Sequence, residues 1–202
     1  MSREIGLSRL TAFELTNAEL GEYAGEIVPI PWIVNAEVSK TVASFTVYAD
    51  NVAEISSSKA TGAEITLEIS SDMPPSLEAK LTGVKFENGL MIAGTDDIKP
   101  QWGLAYETVM DTGALRRYFF TNCTISKNEQ ANETISDSIV AQTYSLTVNA
   151  IPLPTSKELM LVMDEDDMLA AIDAEGGLGQ GNADKINDLW EQWFEVAPRP
   201  IV

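Results

Sequence analysis

The chain has 202 residues, 45% of them hydrophobic, and a formal net charge of -18 from 31 acidic against 13 basic side chains. That length suits one domain with or without an appendage, able to bury roughly 70% of its unfolded surface, and no apolar run approaches the roughly 20 residues needed to span a bilayer. The acidic balance argues against direct binding to a nucleic-acid backbone, which needs clustered Lys and Arg, and the absence of histidine removes the commonest general base and metal ligand.

From Met1 to about Pro154 the texture is that of an all-β domain, with short alternating runs rich in Thr, Ser and Val. Strands are expected over 41–48 and, most clearly, over 63–70 (AEITLEIS). There Ile65, Leu67 and Ile69 share one face while Glu64, Thr66, Glu68 and Ser70 share the other, the period of two of a sheet with one wet side. Pro74-Pro75 opens a short helix over 74–81 that Gly83 is placed to end. Asn88-Gly89 and Asp111-Thr112-Gly113 mark hairpin turns. Further strands are expected over 104–110, 116–125 and 139–150.

After Pro152 and Pro154 the texture changes, which divides the chain into a β-rich domain over residues 1–154 and an acidic helical C-terminal extension or arm over residues 155–202. Residues 164–174 (DEDDMLAAIDA) place acids at the positive end of a helix. Residues 176–182 (GGLGQGN) read as a flexible connector, and a second helix is expected over 184–196. Ile186, Leu189, Trp190, Trp193 and Phe194 form a compact apolar stripe on it. Leaving large side chains of this kind in water costs roughly 1.5–3 kcal/mol each, so the stripe needs a cover, either its own domain's core or a neighbouring subunit.

The residues give little support for an enzyme. The one cysteine, Cys123, excludes an intrachain disulfide and falls in an expected strand, where it reads as a small buried hydrophobe in a chain of a reducing cytoplasm. The polar start, Met1-Ser2-Arg3-Glu4, has no secretory-type apolar core. Gly176 and Gly181 have the spacing of a phosphate-binding loop, yet Asn182 and Ala183 replace its Lys and Ser/Thr. Against a calcium loop starting at Asp164, Met168 and Leu169 occupy positions that need a ligand and a glycine. No catalytic residue, cofactor or metal is assigned.

Four blocks follow one another: 46–54 (TVYADNVAE), 81–83 (LTG), 102–107 (WGLAYE) and 116–120 (RRYFF). In this order and at these separations they resemble the major tail protein, the tail-tube subunit, of long-tailed bacteriophages (siphoviruses) of Gram-positive hosts. The resemblance covers approximately residues 5–150. Tyr48-Ala49-Asp50-Asn51 with Glu54 looks like the family's strand end and acidic loop, while Gly83, Gly103-Leu104-Ala105 and Arg117-Tyr118 match later family positions; the match fades after Pro154.

The resemblance implies a tail-tube-type β-sandwich or barrel with one packed helix. Six copies would close into a ring, and stacked rings would form the channel for DNA delivery. Its partners would be further copies of itself and other tail proteins such as the tape measure, tail terminator and distal tail protein, with DNA a transient passenger and no membrane. The location would be the virion tail, assembled in the host cytoplasm. On this reading Glu64, Thr66, Glu68, Gln142, Tyr144 and Thr147 are candidates for the lumen face, because an acidic or neutral-polar wall lets DNA slide rather than adhere. Asp50, Asn51 and Glu54, in a loop over 48–61, are candidates for inter-ring contact. The alternative is a noncatalytic β-sandwich binding module, for example for carbohydrate, and a carboxylate-using enzyme is a distant third.

Overall fold

A computed structural model describes residues 3–49, 52–70, 73–127, 144–173 and 180–200, with side chains described except within 45–57 and 173–182. Among the described residues the alternating runs form ten strands: β1 (Glu4–Glu14), β2 (Ile27–Ile30), β3 (Ile33–Ala49), β4 (Val52–Ile69), β5 (Lys85–Glu87), β6 (Leu90–Ile92), β7 (Trp102–Met110), β8 (Leu115–Lys127), β9 (Tyr144–Ala150) and β10 (Met160–Asp164). Three helices are found among the described residues: α1 (Pro75–Thr82), α2 (Glu165–Asp173) and α3 (Gln180–Glu191). The protein is mainly β, as its alternation leads one to expect.

One antiparallel sheet runs in the order β2-β1-β7-β8-β9-β4-β3, and β10 adds to β8. β8 is the branch point. Its first half, Arg116 to Phe120, pairs with β10, and its second half, Cys123 to Lys127, pairs with β9. Between them the register against β7 slips, from Leu104 opposite Phe120 to Trp102 opposite Cys123. A bulge of this kind lets one strand serve two differently directed parts of a sheet. Consequently Leu10, Val28, Leu104 and Phe120 from one part meet Ile65, Leu67, Leu146 and Val148 from the other in the main core.

Two glycines are fixed by geometry. Gly83 closes α1 at φ 78°, the left-handed conformation that favours glycine, and donates its N–H to the Ala79 carbonyl. A Cβ there would stand 2.3 Å from the Ile98 oxygen. At Gly103 a Cβ would stand 2.5 Å from the Phe119 ring and 2.7 Å from that of Tyr23, so this position is set by close packing. Trp102 then ties α1 to the sheet by donating its indole N–H to the Leu81 carbonyl at 3.1 Å. Asn88 and Gly89, both at positive φ, turn the small β5–β6 hairpin as their sequence suggests.

Several boundaries differ from expectation. Residues 48–61 are largely strand, because β3 and β4 pair as far as Ala49 and Val52. The strands β1, β2 and β10 are not among those expected from the sequence. α3 begins at Gln180, inside the stretch read as a connector, and ends at Glu191. The extension is not helical throughout: Met160–Asp164 form β10, which pairs with β8 and joins this part of the extension to the sheet of the first 154 residues. Its apolar residues Met160, Leu161 and Met163 can be buried only beside that strand, a long-range pairing that no local signal reveals. Of the strand expected over 139–150, residues 139–143 lie outside the described residues.

Candidate assembly surfaces

The wet side of β4 belongs to a band four strands wide. Glu64, Thr66 and Glu68 pair with Asn149, Thr147 and Ser145 of β9 on one side and with Ser39, Glu37 and Asn35 of β3 on the other. Across β9, Asn149 and Thr147 pair in turn with Thr124 and Ser126 of β8. The positions between them, Ile65, Leu67, Leu146 and Val148, are fully buried, so alternation sends the polar set to the opposite face. That face holds the carboxylates of Glu37, Glu64 and Glu68 among uncharged Asn, Ser and Thr. At its margin Lys99 Nζ donates to Ser126 Oγ at 2.6 Å.

Tyr144 is a correction. It was grouped with Thr147, but residues three apart on a strand point to opposite faces, and Tyr144 is only 3% exposed in the main core. Lys127 lies over its ring, 4.8 Å from the centroid, and pairs with the buried Glu78 at 3.0 Å. Gln142 lies outside the described residues. Asn35, Glu37 and Ser39 were missed, although the alternation of Ala36 and Val38 with Glu37 and Ser39 was a usable signal.

Beyond Ala63 the β3–β4 hairpin leaves the sheet. β9 pairs with β4 only from Ala63 to Ile69, whereas β3 and β4 stay paired from Thr41 with Gly62 to Ala49 with Val52. At about 3.3 Å per residue this two-stranded ribbon is about 30 Å long. Glu54 is a second correction: it sits within β4, skipped in the register between Val47 with Ile55 and Tyr48 with Ala53, and so belongs to a β-bulge rather than a loop. Asp50 and Asn51 lie outside the described residues. Among the described residues no strand pairs with the outer side of β3, which leaves a long row of edge N–H and C=O groups, with the start of β1 (Glu4 to Leu7) facing Val34 to Ala36 across a small hollow.

The C-terminal stripe docks on the face of β7 and β8 opposite the main core. Trp193 is 2% exposed and, with Ala197, packs against Phe13, Ala105 and Phe119, flanked by Leu189 and Phe194. Ile186 is buried as well. The arginines of the RRYFF block hold the extension in place. Arg116 pairs with Asp164 at 2.8 Å and Glu4 at 3.3 Å, and the Leu115 N–H donates to Glu165. Hydrogen bonding to Asp164 and Tyr118 raises the Arg116 pKa still further, so it stays charged. Arg117 is buried against Glu107 at 2.8 Å, donates Nη1–H to the Trp190 carbonyl, and stacks 3.9 Å from the centroid of that residue's ring. Arg9 lies 4.9 Å from the Phe194 centroid. The role of Arg117 was not legible in sequence, because its partners are 10 and 73 residues away.

Burial pushes the Cys123 thiol pKa up, which suppresses its thiolate. Among the described residues no cluster of three or more His, Cys, Asp or Glu is placed to hold a metal, and no helix is long and apolar enough to cross a membrane. A hollow of about 330 Å³ beside Tyr23, Leu153 and Arg199 is walled mainly by apolar surface.

No family model matches the sequence, and no curated protein is similar to it. Among solved structures, the chain is similar to one from "Cryo-EM structure of the anti-feeding prophage (AFP) baseplate, 6-fold symmetrised", with 10% identity and a TM-score of 0.38, covering 81% of this chain and 97% of that one.

Proposed function

We propose that this chain is a structural subunit of a bacteriophage tail, and that copies of it close into hexameric rings which stack into the tail tube. The observation that supports this reading most is the conjunction of a sheet face bearing Glu37, Glu64 and Glu68 with an open β3 edge beside it. Long exposed edges invite pairing with another chain, and a closed ring of subunits satisfies them. A wall of carboxylates and uncharged polar groups repels phosphate, so DNA passes without adhering. The ordered sequence blocks resembling tail-tube subunits point the same way.

On this reading the RRYFF, WGLAYE and LTG blocks are packing elements, not an active site, and the protein is not an enzyme. Glu64, Thr66, Glu68 and Thr147 face the lumen together with Glu37 and Ser39. The β3–β4 ribbon reaches the adjacent ring, because an isolated two-stranded ribbon is marginal in water and gains from being covered. The tape measure, tail terminator and distal tail protein are the further partners, and the place of action is the virion tail after assembly in the host cytoplasm.

Electron microscopy of the purified, concentrated protein tests the reading. Stacked six-membered rings with a central channel are the expected result. A monomer at every concentration, also in the presence of tail-initiator complexes, overturns it and favours the β-sandwich binding module.

A further inference from the structure

The main core takes all its fully buried members from β1, β2, β4, β7, β8, β9 and the α1 region, within residues 10–150. The second cluster is different, since its cover, Trp193 and Ala197 with Leu189 and Phe194, comes from the C-terminal segment 180–200. Beneath that cover lies a salt bridge, Arg117 to Glu107, with side chains 8% and 6% exposed. A buried ion pair under a permanent lid is a poor way to gain stability, because desolvation offsets most of the attraction. Under a lid that departs it has a use: once uncovered, Arg117 and Glu107 meet water and keep the face around Phe13 and Phe119 from being wholly apolar. The lid also reads the pair directly, through the Trp190 carbonyl and ring on Arg117.

We propose that segment 180–200 is exchanged between copies, so that on assembly it leaves its own β7–β8 face and docks on the same face of a second copy. The inference rests on the reading of the chain as a self-assembling subunit. The cis complex defines the complementarity: the Trp190 carbonyl and ring near the end of α3 for the Arg117 guanidinium, the Trp193 indole packed on the Phe13–Phe119 pair, and the Phe194 ring under Arg9. Exchange through identical contacts is a low-cost route to linked subunits, because no new surface has to be made.

Disulfide trapping tests this, as the one native cysteine, Cys123, is buried and provides the silent background. Ala105→Cys and Ala197→Cys are placed in separate chains of different tag length, mixed before assembly, and oxidised afterwards; Leu161→Cys replaces Ala105→Cys if the latter folds poorly. Mixed disulfides joining the two chains are expected, at least tenfold above the level given by either chain mixed with unsubstituted protein. Tubes without mixed disulfides, while a chain carrying both substitutions closes only on itself, overturn the exchange and leave the tail-tube reading standing. Mixed disulfides without rings or tubes uphold the exchange and count against the tube. Neither association nor mixed disulfides overturns both.

Discussion

The two faces of the β7–β8 pair are closed by different means. On one, aliphatic and aromatic side chains from β1, β2, β4 and β9 interlock around Leu104 and Phe120 with little polar content. On the other, a segment from the far end of the sequence brings one tryptophan into a small aromatic cluster and is held beside it by two arginines acting on Trp190 and Phe194. The first face is a folding core. The second is covered by a segment distant in sequence, and that cover depends on charge–aromatic geometry as much as on apolar area.

The sharpest way to break this contrast is to remove the charge under the lid. Arg117→Ala leaves Glu107 buried without its partner and is expected to cost about 3–5 kcal/mol, whereas replacing both residues by apolar ones of similar volume recovers most of that loss. Urea denaturation of the single and double variants measures both. Leu67→Ala, at a position with no exposure, is expected to cost about 2–5 kcal/mol. It differs from Arg117→Ala in leaving the docking of the C-terminal segment intact until global unfolding, which hydrogen exchange at 186–197 reads directly.

A third test uses pH. Burial raises the pKa of Tyr106 above its ordinary 10.0 and that of Cys123 above 9.0, so the folded state keeps protons that the unfolded chain gives up. Their contribution is therefore fully present below about pH 9 and is lost as pH rises from the unfolded values toward the raised folded ones, at up to about 1.4 kcal/mol per pH unit for each group. Denaturation midpoints between pH 7 and 11 are expected to be flat at first and then fall. Phe substituted for Tyr106 should remove part of the alkaline slope without moving its onset.

Two smaller effects sharpen the comparison from outside the cores. Gly83→Ala, forced into a left-handed conformation against the Ile98 carbonyl, should destabilise by more than about 1 kcal/mol, seen as a lower thermal midpoint. Glu64→Gln with Glu68→Gln should leave stability within about 0.5 kcal/mol of the parent, because neither carboxylate supports the core. Any change these two cause should appear instead in the salt dependence of DNA retention by assembled protein, and an unaltered salt dependence counts against a lumen position.

Where local chemistry decides the outcome, the residues could be read directly. Period-two alternation marked the inner half of β4, Pro75 and Gly83 bounded α1, and Asn88-Gly89 placed a turn, since each depends on neighbours a few positions away. The same alternation rule, applied consistently, separates Tyr144 from Thr147, and the structure obeys it. Composition alone, with no histidine, leaves the chain without the commonest general base and metal ligand.

Tertiary structure decided what lies far apart in the chain. It drew β10 and the C-terminal segment onto β8, made the hairpin of β3 and β4 longer than its turn signals suggested, and assigned Arg117 to Glu107 and Trp190. The physical reason is the same in each case. A strand edge, a buried guanidinium and an indole are satisfied only by partners that the fold brings within a few ångströms, and sequence separation carries no record of that distance.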